Sequence, residues 1–185
     1  MAAATAASVM RSSAGRALRS ASAVVCKPVS GSHVLRIDGY SHLCRVIGKD
    51  EMVRSSAFDV GGHSWRIALY PNGNRLSKLE QHIGVFLHLD SNPSGERVWA
   101  RPKFSVLDQL LNPGAVQDAG TAGLKTGHGW GLPDFISKEK LETPEFLKDD
   151  SVAIQCDVAV TTVRECSDHM VFISRKAAEP VATEA

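Results

Sequence analysis

Ser64 stands in the stretch GHSWR (62–66), the kind of setting in which a serine could be an acyl-transfer nucleophile. That chemistry needs the serine on a sharp strand-to-helix turn, closed by a second glycine so that its Oγ clears the backbone. Arg66 occupies the closing position and the residues after it alternate like a strand, so the elbow is missing. GHGWG (127–131) has the glycines of a phosphate-cradling loop. It lacks a strong strand before it, a capped helix after it and the Lys-Ser/Thr ending. Seven histidines invite a metal reading. His82 and His88 share a strand face, but six strand positions separate them by roughly 20 Å, beyond shared coordination. No H-E-x-x-H stretch or Cys/His cluster occurs. Glu142, Glu145, Asp149 and Asp150 are carboxylates close in sequence, yet KDD reads as a solvated turn before a long strand. These residues build no catalytic constellation, and the chain reads as a non-enzyme with no metal or cofactor.

Trp130 poses a different question, because it sits between Gly129 and Gly131 in GHGWGLPDFI (127–136). Glycine and proline at this density oppose regular helix and interrupt a sheet ladder, which predicts a shaped loop. A large ring there either plugs a core or stands at the surface as an anchor for a partner.

The elements that would hold such a ring are bounded by composition. A chain of 185 residues builds one domain with a real core and is too short for two full ones. Hydrophobic residues make up 43% and charged residues 22%, an ordinary globular balance. Net charge is +1 with both signs interspersed and no dense Lys/Arg stripe, which argues against a nucleic-acid partner. No apolar run approaches the roughly 18 residues of a membrane span. Cys26, Cys44, Cys156 and Cys166 form no C-x-x-C pair and Asn92 precedes Pro93, so no N-glycosylation acceptor exists. The pattern fits free thiols in a reducing compartment and argues against secretion. Residues 1–32 are rich in Ala, Ser and Arg and contain no Asp or Glu. They read as a disordered leader with the character of an organelle transit peptide. Residues 164–185 read as a last strand region followed by a disordered tail.

Between these ends the signal has period two. SVAIQCDVAVTTV (151–163) puts Val152, Ile154, Cys156, Val158 and Val160 on one face, as a long half-buried antiparallel strand. HSWRIALY (63–70), HIGVFLHLD (82–90) and ERVWARPKFSVLD (96–108) alternate likewise, with turn signals at Pro71–Asn74 and Ser91–Gly95. HVLRIDGY (33–40), VRSSAFDV (53–60) and DHMVFIS (168–174) are weaker strands; SHLCRVIG (41–48) and SKEKLE (137–142) are the helical stretches. The fold class is therefore all-β: an antiparallel sandwich of seven to eight strands with one or two short helices. In the third long strand Ile83, Val85, Leu87 and Leu89 fill the core, while Phe86 shares the outward parity of His82 and His88. This predicts a partly exposed Phe86 that shares a surface with Trp130.

Four blocks in order, GGHSWRIALYPNG (61–73), HIGVFLHLDS (82–91), WGLPDFISKEKLE (130–142) and FLKDDSVAIQCDV (146–158), resemble the MATH domain, a TRAF-like sandwich. The likeness covers about 33–163 and is nearest to the MATH portions of plant BTB/POZ–MATH proteins. It implies a shallow groove that takes short extended motifs of target proteins. By position, the peptide-binding residues it implies are Phe86, Pro102, Ala122, His128, Gly129, Trp130, Leu132 and Pro133. Pro102, Ala122 and Leu132 stand where well-understood relatives carry aromatic rings, and His128, Gly129 and Pro133 where they carry charges, so a different peptide preference is expected. Trp65 and Phe135 are assigned to the core.

The family also implies substrate recognition with an indirect link to a cullin-based ubiquitin ligase, in the nucleus or cytoplasm. The chain closes on AEPVATEA with no BTB portion, which reads as a monomeric, truncated adaptor or a competitor with micromolar affinity. A structural, self-associating sandwich is the alternative.

Overall fold

The alternation in HSWRIALY and HIGVFLHLDS builds the first paired strands of the computed structural model, which describes residues 23–166. In chain order the elements are β1 (Ala23–Asp38), α1 (Tyr40–Val46), β2 (Val53–Arg54), β3 (Phe58–Val60), β4 (His63–Tyr70) and β5 (His82–Ser91). Then follow β6 (Val98–Leu107), β7 (Pro113–Asp118), β8 (Ala122–Leu124), β9 (Gly129–Ser137), α2 (Lys138–Leu141) and β10 (Ser151–Cys166). One compact unit spans Cys26–Val163.

Two antiparallel sheets form the sandwich. One runs β1-β10-β6-β7, with β8 also on β6; the other runs β2-β4-β5-β9, with β3 also on β4. Their facing sides supply the core, where Trp65, Ile67 and Leu69 of β4 and Ile83, Val85, Leu87 and Leu89 of β5 are fully buried. Opposite them lie Ala100, Phe104 and Val106 of β6 and Ile154, Cys156 and Val160 of β10. The Phe104 and Phe135 rings meet edge to face at 6.2 Å between the sheets. Burial holds the Cys156 thiol protonated by pushing its pKa up, as fits an inert core thiol.

The all-β class, the two helices and the core placement of Trp65 and Phe135 agree with the sequence. The strand count differs, with ten among the described residues. VRSSAFDV divides into β2 and β3 because Ser55 interrupts the ladder: its hydroxyl accepts from Ile67 N at 2.9 Å and donates to Ser56 O. β7 and β8 carry too little alternation to declare themselves. β1 begins at Ala23, inside the stretch read as leader. Residues 1–22, the strand DHMVFIS and the tail lie outside the described residues.

Asp150 is more than a solvated turn residue. Its carbonyl accepts from the N–H groups of Gly39 and Tyr40, both at 2.9 Å, and its Oδ1 accepts from Ser41 N at 2.8 Å. Gly39, at the helix N-cap with φ 81°, offers no side chain, so a carboxylate from the distant β10 approach caps α1 instead.

Candidate peptide-binding seam

β9 is the edge strand of its sheet and pairs only with β5 among the described residues. The predicted loop GHGWGLPDFI is therefore mostly strand. Its glycines explain how. A Cβ on Gly131 would lie 2.1 Å from Val85 O and 2.5 Å from the Phe86 Cα, and one on Gly129 would lie 2.6 Å from the His88 ring. At Gly131 glycine permits a close approach to the β5 backbone that no other residue allows. The ladder then breaks between Ile83 and Val85, where β9 bulges through Pro133, whose missing N–H is harmless there.

The pairing register decides which side each ring faces. Leu87 lies opposite Trp130 and Val85 opposite Leu132, while Phe86 lies opposite Gly131 and His88 opposite Gly129. Directly opposed residues share a face. Trp130 and Leu132 thus point to the inner side of the sheet at its open edge, and Phe86 points to the outer side. The expectation of one surface shared by Phe86 and Trp130 is corrected: a one-residue offset across the ladder sends them apart.

Trp130 leans across the seam between the sheets. Its indole N–H donates to Ala119 O at 2.7 Å, and 43% of the residue stays exposed. Ala119 N in turn donates to Pro102 O at 3.1 Å. Pro102 is buried with the inward parity of Ala100 and Phe104 on β6. Proline is tolerated in this interior strand because its carbonyl, and so its nitrogen, faces the gap between β7 and β8, outside the residues that pair in either ladder. Ala122 opposes the inward Ala100. Ala119, Ala122 and Leu132 all pack against the core while partly exposed. Pro102, Ala122, Trp130 and Leu132 therefore converge on one apolar seam, which the Gln117 side chain also crosses by donating to Phe135 O.

The other predicted residues lie elsewhere. Phe86 retains only 9% exposure, so the expectation of a partly exposed ring is corrected: Tyr70 covers it, ring centres 5.5 Å apart at 79°. Gly129 lies under the His88 ring on the outer face. His128 is exposed at the start of β9, its N–H donating to Lys125 O at 2.9 Å. Pro133 sits at the bulge, accepting from the Ser77 hydroxyl at 2.9 Å.

On the outer face burial, then the nearby Arg54 charge, lowers the His88 pKa against the pull of Asp90, which favours a neutral ring. Arg66, opposite His88, is paired with Asp90 at 3.0 Å. Sequence reasoning missed Ala119 and Tyr70. Tyr70 was recoverable, since it shares the outward parity of Arg66 and Ala68, but nothing local marks a loop carbonyl as an indole acceptor. Among the described residues no group of three His, Cys, Asp or Glu side chains is arranged to hold a metal ion.

Comparison with known proteins agrees with this architecture. The MATH domain family model matches residues 32–158. BTB/POZ and MATH domain-containing protein 4 of Arabidopsis thaliana is 35% identical over 145 residues, covering 74% of this chain and 30% of that protein. Protein 5 of the same series and organism is 34% identical over 146 residues, covering 74% and 35%. Ubiquitin C-terminal hydrolase 12 of Arabidopsis thaliana is 28% identical over 125 residues, 66% of this chain and 11% of the hydrolase. The chain thus spans about a third of the length of the BTB/POZ and MATH relatives it matches. With the family model matched over more than half of its residues, on a two-sheet antiparallel sandwich, this chain belongs to the MATH domain family.

Proposed function

We propose that this MATH domain is a non-enzymatic interaction module that binds short extended segments of target proteins at the β9 edge, with Trp130 as the anchor. The observation that carries the reading is a Trp, 43% exposed, whose indole is held to Ala119 over an apolar seam, beside a strand edge that is unpaired among the described residues. A strand edge offers backbone donors and acceptors to an extended ligand, and an exposed ring beside it supplies apolar burial. Pro102, Ala122 and Leu132 leave the seam without charge, which suits an apolar ligand residue. Relatives whose names join MATH to BTB/POZ, and others named ubiquitin hydrolases, support a role in ubiquitin-dependent target selection. A single seam of this size gives micromolar affinity.

Peptide-array selection followed by NMR titration tests the reading. Shifts concentrated on β9, Ala119 and Ala122, and lost in Trp130→Ala, are expected. Binding untouched by Trp130→Ala removes it.

Self-association is the second reading. It is favoured by Leu110 and Leu111, 81% and 71% exposed at the tip of the β6–β7 turn. Sedimentation of wild type beside Leu110→Glu/Leu111→Glu separates the two.

A further inference from the structure

Across the outer face of the second sheet the register sets one row of residues: Arg54 on β2, Ala68 on β4, Phe86 on β5 and Gly131 on β9. The row is small on both sides of Phe86, so its ring lies in a bed between Ala68 and Gly131. The next row has Tyr70 opposite Gly84, and the row on the other side has Arg66, His88 and Gly129. Phe86, Tyr70, His88 and Gly129 line a depression of about 430 Å³, bounded on its loop side by Asp50, Arg75 and the 58%-exposed Leu76. This face lies on the reverse side of β9 from the Trp130 seam, and an extended chain passing over the side-chain-free Gly129 and Gly131 reaches it.

The charges around the depression are unequal in what they have left to bind. Arg66 is committed to Asp90, and Asp50 accepts a hydrogen bond from the backbone N–H of Arg75. Among the described residues the guanidinium groups of Arg54 and Arg75 make no ion pair. Arg54 stands two strands from Phe86, about 10 Å, within the combined reach of its own side chain and a ligand's. Two uncommitted guanidinium groups flanking three rings suit an anionic group on an otherwise uncharged extended chain.

We propose that this depression is a second subsite that selects an acidic or phosphorylated residue in the bound segment, with Arg75 and Arg54 as the reading groups and Phe86, Tyr70 and His88 as its floor. The inference rests on the peptide-binding reading of β9 and adds a ligand chemistry to it.

The test uses labelled random octapeptide pools that share one fixed central residue: glutamate, phosphoserine or glutamine. Wild-type protein retains the glutamate or phosphoserine pool about three- to fivefold over the glutamine pool, the worth of one partly exposed ion pair. Arg54→Glu/Arg75→Glu abolishes that ratio and leaves glutamine-pool binding in place, whereas Trp130→Ala lowers every pool together. Among the described residues neither guanidinium holds the fold through an ion pair, and unchanged Tm verifies that the double variant is folded. Enrichment of phosphoserine alone supports the subsite with phosphate as its anion. Equal retention of all pools, or enrichment that survives charge reversal, overturns the subsite while Trp130-dependent binding keeps the module reading. Absence of binding by any pool overturns both.

Discussion

Phe86 and Trp130 lie on neighbouring strands and face opposite sides of the same sheet. Trp130 opposes the buried Leu87, and Phe86 opposes Gly131. The two rings therefore do different work. The indole spans an open seam, while the phenyl ring seals the outer face beneath Tyr70.

Truncating them gives distinct outcomes. Phe86→Ala removes a ring that is 9% exposed and lowers stability by about 3 kcal/mol in urea unfolding. Trp130→Ala loses a single hydrogen bond and a half-exposed ring, costing about 1 kcal/mol, while weakening peptide binding about tenfold. Equal destabilisation by the two variants would identify the indole as a core plug.

Gly131 and Gly129 differ in what surrounds them. A Cβ at Gly131 meets the backbone of Val85 and Phe86, which cannot yield. Gly131→Ala is expected to lower Tm by well over 10 °C or to prevent folding. At Gly129 the Cβ meets the His88 ring, a side chain that can swing. Gly129→Ala is expected to cost a few degrees and to shift the His88 resonances in NMR spectra.

Stability is expected to fall in mild acid. Burial lowers the pKa of both His33 and His88. His33 stacks on Phe58 at 4.5 Å; around His88, Arg54 reinforces the lowering and Asp90 opposes it. A lowered folded-state pKa means that the unfolded chain takes the proton first. The stabilisation is complete above the unfolded value near 6.5 and is lost as pH falls below it toward the folded values. Tm is expected to drop between pH 7.5 and 5.5, and less so in His88→Gln. The lowered carboxylates, Asp38, Asp108, Asp118 and Asp150, act only at more acid pH.

Asp150 caps α1 from a remote part of the chain and does so at φ 58°. Asp150→Asn keeps both the acceptor and tolerance of that conformation, and Tm should stay nearly unchanged. Asp150→Ala loses both, and a fall of several degrees in a thermal scan is expected. Equal effects of the two substitutions would put the contribution in the charge.

The sequence by itself determined the all-β class, because alternation in β4, β5, β6 and β10 marks one face of each strand for the core. It marked the inward residues of β4, β5 and β10 for the same reason, and four spaced blocks sufficed to suggest the family, but the burial of Ala68 and Phe86 on the outer face was not legible in it. It could not reveal β9 as a strand. The glycines at 129 and 131 look locally like loop, and only their pairing with β5 makes them strand residues. Nor could parity within one strand say which rings meet. That depends on how β5 and β9 slide past each other, and one residue of register moves a side chain from one face to the other. The acceptor of the Trp130 indole, the gap that accommodates Pro102 and the cap that Asp150 supplies to α1 are all contacts between segments distant in the chain. Tertiary packing alone decides them, since each joins groups that no local preference brings together.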